Sequence, residues 1–273
     1  MHCTPYGRLR VMSVDQAFLR LYEIIVRLRS PEGCPWDREQ TAVSLRRHLI
    51  EETYEVVHAI EDGDTDQLRN ELGDLLLHVV MQATIAEQRG EFTLADVLEE
   101  VMKKLIRRHP HVFGSARATH PDEVKRNWER LKMQEGRASR LQGIPASLPA
   151  LQRALRMQQR AAHVGFDWKT TDEVWVKVRE ELGELEVAFS TTSTRKREEE
   201  FGDFLFSLVN LARFLKVHPE DALRHTNRKF ERRFRYIERE LARRGRSPEE
   251  ATLEEMDALW EKAKGRTKAR QGE

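Results

Sequence analysis

The sequence predicts an all-α protein built as a tandem repeat of two four-helix-bundle-type domains. Three observations carry that prediction. Apolar residues recur at helical spacing through most of the 273-residue chain, no stretch alternates convincingly like a strand, and one carboxylate pattern occurs twice at a constant offset. The length also suits two domains of roughly 100–150 residues better than a single core.

Taken in order, Val14, Phe18, Leu21, Ile25 and Leu28 fall on one helical stripe, and Pro31 with Gly33 ends that helix. Further helices are expected over 41–61, 66–89, 93–108 and 121–135, separated by loops reading DGD, RGE and HPHVFG. Residues 136–149, rich in Gly, Ser and Pro and without helical periodicity, read as a linker. The plan then repeats, with helices over 150–163, 171–189, 195–216, 219–244 and 248–264. The expected organisation is an extension over 1–13, a first helical domain over 14–135, the linker, a second domain over 150–266 and a basic tail over 267–273.

Lys and Arg number 47 against 46 Asp and Glu, a net charge of +1 in a chain whose residues are 34% charged. So even a balance argues against a dedicated nucleic-acid or membrane-surface protein, which carries a basic excess overall. No apolar run approaches the roughly 18 residues that span a bilayer, and the longest, near 75–81, is broken by His78. The N-terminal residues have no apolar signal-peptide core, and Cys3 and Cys34 form neither a CxxC motif nor a disulfide framework. A soluble protein of the reducing cytoplasm is expected.

The repeat is the most informative feature. At an offset of 129, Glu51, Glu52 and Glu55 fall on Glu180, Glu181 and Glu184, while Glu71, Gly73 and Asp74 fall on Glu200, Gly202 and Asp203. The pattern EExxE, fifteen residues, ExGD therefore occurs twice, which duplication explains better than chance. On helices, Glu181 with Glu184 and Glu200 with Asp203 are neighbours three apart, so two antiparallel helices can converge four carboxylates. At roughly 4 Å and an effective dielectric near 20, each like-charge pair costs on the order of 4 kcal/mol, so the cluster calls for protons or cations. An all-oxygen donor set without Cys or paired His favours Mg2+, or Mn2+ in its place, over Zn2+. The alternative is that these are solvated helix faces, but each motif adjoins an apolar run, LLLHVV or FLFSLV, that would bury its helix. A glycine within each helix costs roughly 1 kcal/mol relative to alanine, and implies close approach of a helix, metal or ligand at Gly73 and Gly202.

Asn210 lies two turns beyond Asp203 on the same helical face, where it can meet metal or substrate. Residues 224–246 hold ten Lys and Arg against three acids, with Lys229 and Arg233 flanking the stripe Phe230, Phe234, Ile237 and Leu241. A carboxylate–metal cluster facing cations is the pairing a polyphosphate needs. Trp260 and Lys264, one turn apart, offer a stacking surface and a further phosphate contact. Two other readings are weaker. A ferritin-like di-iron site requires two ExxH motifs, whereas His58 after Glu55 has only Val187 as its counterpart. A non-enzymatic regulatory or nucleic-acid-binding module is favoured by the basic helix but not by the duplicated acids. His109 and His111 alone are a weak metal signal and read as part of a structural loop.

Together, EExxE…ExGD, NRKFERRF at 227–234, CPWDREQT at 34–41 and KLIRRHPHVFG at 104–114 closely resemble the MazG family, over nearly the whole chain after Met12. The resemblance implies an α-helical nucleoside triphosphate pyrophosphohydrolase with tandem helical domains, usually a homodimer, that converts NTP and water to NMP and pyrophosphate. It implies metal ligation by Glu181, Glu184, Glu200 and Asp203, with Glu180 assisting catalysis, and substrate contacts at Lys196, Lys229, Arg233, Trp260 and Lys264. The first copy matches through Glu52, Glu55, Glu71 and Asp74, a possible second metal site, but carries Gln67 in place of Lys196 and Met81 in place of Asn210. The second copy is therefore the expected catalytic one.

Overall fold

A computed structural model describes residues 12–117, 119–120, 123–124, 127–128, 131 and 139–270, the last five by backbone alone. Residues 1–11 of the expected extension over 1–13, most of the expected 121–135 helix, the start of the linker and the last three residues lie outside the described set. The described residues contain helices and no strand, as an all-α fold requires. Backbone proximity divides the chain into two compact units, residues 1–132 and 133–273.

In the first unit, helices α1 (Val14–Leu28), α3 (Arg46–Asp62), α4 (Thr65–Gln88) and α5 (Leu94–Arg108) are joined by short turns, with brief helices α2 (Pro35–Glu39) and α6 (Pro110–Phe113) between or after them. The chain turns sharply after α1 because Gly33 packs onto the end of that helix. A Cβ there would lie 2.3 Å from the carbonyl oxygens of Arg27 and Leu28. Pro35 then opens α2, and residues 41–45 form turns, so α3 starts at Arg46 rather than at Thr41 as the periodicity predicts. The physical reason is Thr41 and Ser44, whose hydroxyls each accept a backbone N–H from the other residue and offer the chain an alternative to helix. Gly63, at φ +70°, ends α3, and Asp64 caps α4 by accepting from the N–H groups of Asp66 and Gln67. The core gathers Ile25, Leu45, Val80, Met81, Ala83, Ile85 and Leu94.

The second unit is likewise helical. Helix α7 (Ala150–Ala162) ends in a loop over 163–170 that reverses at Gly165, φ +85°. Helix α8 (Thr171–Phe189) starts on a capping box between Thr170 and Glu173. Helix α9 (Thr194–Phe214) starts on Ser193, whose hydroxyl accepts from the N–H of Lys196. Asp64 and Ser193 are thus equivalent caps at the offset of 129. Helices α10 (Pro219–Ala242) and α11 (Leu253–Arg270) form a hairpin around Ile237, Leu241 and Leu259, joined by a 3-10 turn at Pro248–Glu250. That turn delays α11, which starts at Leu253 rather than at Pro248. Val174, Val178 and Leu211 bind α8 to α9, with Phe204, Leu208 and Phe214 packed against them.

A Cβ at Gly73 or Gly202 would meet nothing within 4 Å, so among the described residues no helix of this chain makes the expected close approach to these glycines. Both lie on exposed faces of their helices, where no neighbouring helix of the same chain crowds them.

Candidate metal and nucleotide site

The EExxE motif of the second unit occupies the middle of α8 and the ExGD motif the first half of α9. Helix periodicity places Glu181 and Glu184 one turn apart, and the hairpin between α8 and α9 brings Glu200 to them. One carboxylate oxygen from each of Glu181, Glu184 and Glu200 lies within 4.8 Å of the others. Asp203 stands outside that group of three and instead lines a cavity beside Glu181. The first unit gathers Glu52, Glu55 and Glu71 within the same span, with Asp74 likewise outside it. Three of each expected set of four carboxylates therefore converge.

Glu181 is 7% exposed. Its Oε1 lies 2.6 Å from Lys177 Nζ, which also donates to Glu180 at 2.8 Å. These two carboxylates, Glu180 foremost, raise the Lys177 pKa above its ordinary value. The other Glu181 oxygen, Oε2, is buried without a hydrogen-bond partner. An enclosed anionic oxygen with no donor is costly, and a hard cation among three carboxylates would satisfy it. The donor set thus fits a divalent metal ion. In the first unit, histidines take the corresponding neighbouring positions. His48 meets Glu51 at 3.1 Å, His78 lies 3.8 Å from Glu52, and the two rings stack at 6.1 Å.

The cavity in the second unit encloses about 520 Å³ between α7, the 163–170 loop, α8 and α9. Glu181, Asp203 and Lys177 line it together with Asn210, and Phe166 and Trp168 from the loop supply apolar wall. Asn210, expected from its spacing, is thus placed with the acids. Lys196, Lys229, Arg233, Trp260 and Lys264 are not among the residues lining this cavity. Lys196 is exposed in the first turn of α9. The other four lie on the α10–α11 hairpin, where the Arg233 guanidinium covers the Trp260 ring at 5.4 Å and Phe230 flanks it at 5.2 Å. Lys264 pairs with Glu261 at 2.5 Å, and Arg233 Nε is buried without a partner.

Sequence reasoning misses Lys177, Gln158 and Arg213. A lysine four residues before a glutamate looks like an ordinary surface helix pair, and only the burial of Glu181 marks this one out. Gln158 and Arg213 come from separate elements, α7 and the last turn of α9, so no local motif contains both.

Against known proteins, residues 40–113 match the MazG nucleotide pyrophosphohydrolase domain. The nucleoside triphosphate pyrophosphohydrolase/pyrophosphatase MazG of Thermotoga maritima is 49% identical over 251 residues, covering 91% of this chain and 96% of that one. The nucleoside triphosphate pyrophosphohydrolase of Escherichia coli K12 is 47% identical over 252 residues, covering 90% and 96%. An uncharacterised protein of Bacillus subtilis, YabN, is 45% identical over 251 residues, 90% of this chain but 51% of its own length.

Proposed function

The chain belongs to the MazG family, and on that premise we propose that it is a magnesium-dependent nucleoside triphosphate pyrophosphohydrolase whose second unit is catalytic. The observation that carries this reading is the buried, unpartnered Glu181 Oε2 within a carboxylate trio that opens onto a cavity. Glu181, Glu184 and Glu200 would hold the metal, with Asp203 beside them. When bound, Mg2+, or Mn2+ in its place, supplies charge neutralisation to the triphosphate and lowers the pKa of coordinated water. Glu180 is more than half exposed and adjacent, placed to accept the proton of the attacking water. Attack at the α-phosphorus forms the new P–O bond of the NMP, and pyrophosphate leaves with the cleaved anhydride oxygen.

Asn210 contacts substrate from the cavity wall. Lys196, Lys229, Arg233 and Lys264 are cations for the phosphates, with Trp260 as a stacking surface. Glu52, Glu55, Glu71 and Asp74 form a possible second metal site in the first unit. We assign the protein to the cytoplasm as a homodimer. Among the described residues no helix is long and apolar enough to cross a membrane. Support for the dimer comes from Leu72 and Leu76 on α4 and from Phe201 and Leu205 on α9, all exposed around the open glycines. Light scattering on the purified protein tests it, and a monomer mass refutes it.

The test of activity is a panel of NTPs and dNTPs with Mg2+, separating pyrophosphate from phosphate as product. Glu181→Gln and Asp203→Asn are expected to abolish pyrophosphate release with helicity unchanged, and Glu52→Gln to retain it. Full activity in both second-unit variants overturns the assignment. Salt-dependent nucleic-acid binding without any NTP hydrolysis would favour a regulatory module instead.

A further inference from the structure

The cavity contains two side-chain amides whose orientations are set by their neighbours. Arg213, from the last turn of α9, donates to Asn210 Oδ1 through Nε at 3.0 Å and through Nη2 at 2.7 Å. The same guanidinium grips both oxygens of Asp167 in the 163–170 loop, Nη1 to Oδ2 at 2.8 Å and Nη2 to Oδ1. A guanidinium only donates, so the Asn210 amide cannot flip without bringing its NH2 against N–H donors. Its Oδ1 is therefore fixed toward Arg213, and Nδ2 has no acceptor among the described residues. In the same cavity Gln158, 8% exposed, donates through Nε2 to the carbonyl oxygen of Phe206 at 2.8 Å. That bond fixes Gln158 Oε1 as an acceptor, and the oxygen is buried without a donor. One free donor and one unpaired acceptor thus stand in a cavity that reaches Asp203 and Glu181.

Their distance from the acids indicates what they meet. Asn210 is seven residues beyond Asp203 along α9, or about 10.5 Å at a rise of 1.5 Å per residue. If the reacting phosphate lies at the acids, that separation passes the ribose and reaches the base. A base edge carries both an acceptor and an N–H, matching the two amides, whereas the apolar surfaces of Phe166 and Trp168 suit a flat ring.

We infer that this cavity is the nucleobase subsite, in which Asn210 Nδ2 and Gln158 Oε1 bond the base, and that Arg213, anchored by Asp167, is a positioning residue that holds the Asn210 amide in its donating orientation. The inference rests on the pyrophosphohydrolase reading, because it takes the acids as the phosphate end. It extends that reading by assigning the base end and the role of Arg213.

Three measurements test it on the full chain. First, in NTP hydrolysis, Asn210→Ala is expected to raise KM about tenfold, the loss of one hydrogen bond, with a smaller change in kcat. Second, Mg2+-tripolyphosphate, which has no base, is expected to inhibit wild type and Asn210→Ala equally. Calorimetric binding of AMP, CMP, GMP and UMP should weaken in the variant, a readout independent of turnover. Third, Arg213→Met should reproduce the KM effect, and the double variant Asn210→Ala/Arg213→Met should be no worse than the more impaired single. If circular dichroism shows that Arg213→Met is unfolded, Arg213→Lys replaces it in the cycle. Unchanged KM and nucleotide binding in Asn210→Ala, or loss of tripolyphosphate inhibition together with kcat, overturns the base assignment. Additive losses overturn the positioning role. A wild type that binds nucleoside monophosphates but releases no pyrophosphate from any NTP refutes the proposed activity and leaves the base subsite standing.

Discussion

Lys177 sits where a cation belongs, and removing it separates the requirements of the metal-free fold from those of the metal site. Its ammonium lies 2.6 Å from Glu181 and 2.8 Å from Glu180, and Glu181 is almost wholly buried. Breaking a fully buried pair costs about 3–5 kcal/mol because a bare charge is left inside. The Lys177 side chain is one-third exposed, so solvent screening reduces the expected loss for Lys177→Met to about 2 kcal/mol. At about 3 °C per kcal/mol for a unit of this size, Tm in EDTA should fall by about 6 °C. Magnesium should reverse much of that loss, because Glu181, as a proposed metal ligand, no longer has an internal competitor. The rise in Tm on adding Mg2+ is therefore larger in the variant than in wild type, and its apparent metal affinity is higher. The raised Lys177 pKa gives a further check. The pair's contribution is fully present below the ordinary lysine value of 10.5 and is lost only as pH rises through the higher folded value, so the difference between the proteins is constant from pH 6 to 9. Differential scanning calorimetry with EDTA and with Mg2+ measures all of this. Equal Tm values in EDTA, or equal magnesium shifts, would refute the view that Lys177 substitutes for the metal.

Three further outcomes follow from local geometry. Gly33→Ala places a Cβ 2.3 Å from two backbone oxygens, so α1 or the following turn must move. A loss of about 1–3 kcal/mol in urea unfolding is expected. Removing either cap, Asp64→Ala on α4 or Ser193→Ala on α9, should cost about 1 kcal/mol, with the larger effect at Asp64, which accepts two backbone N–H groups. Asp167 has its pKa lowered chiefly by the hydrogen bonds from Arg213, so its contribution is present above the ordinary value of 3.8 and is lost as pH falls through the lower folded value. Asp167→Asn should therefore destabilise by about 1–2 kcal/mol at pH 7, and the difference from wild type should shrink as pH falls below 3.8, as read by urea midpoints from pH 7 into the acid range.

Helices were legible wherever a cap and an apolar stripe coincide. The helix expected over 171–189 matches α8 at both ends, with Thr170 capping its start, and α10 starts at Pro219 as expected. Legibility failed where short-range polar bonds compete with helix, as at Thr41 and Ser44, and where a 3-10 turn delays α11. The carboxylate trio was readable because its members share two helices at fixed spacing. The cavity was not, because its wall is assembled from α7, a loop, α8 and α9, and no one-dimensional pattern records their meeting.

The offset of 129 that revealed the repeat also shows where the copies have diverged. The acids persist in both units, each with a carboxylate trio of the same span. The cavity residues do not persist. Asn210 corresponds to Met81 and Arg213 to Thr84, and both first-unit residues are buried, Met81 within the core beside Ile25 and Leu45. Thr84 turns its hydroxyl onto the Val80 carbonyl within its own helix. An amide–guanidinium pair that needs a polar partner and open volume has thus been replaced by side chains that fill volume. Ser207 and Lys177 correspond to His78 and His48, which stack on one another beside the acids. The first unit thus keeps the carboxylate trio, but buried side chains occupy the positions of Asn210 and Arg213. On the proposed reading, the acidic motif alone does not distinguish the two units, and the polar residues beyond it do. Asn210 and Arg213, which Met81 and Thr84 replace in the first unit, lie on the same helix as the ExGD motif, about two and three turns beyond it, where packing rather than the carboxylate spacing determines what they can be.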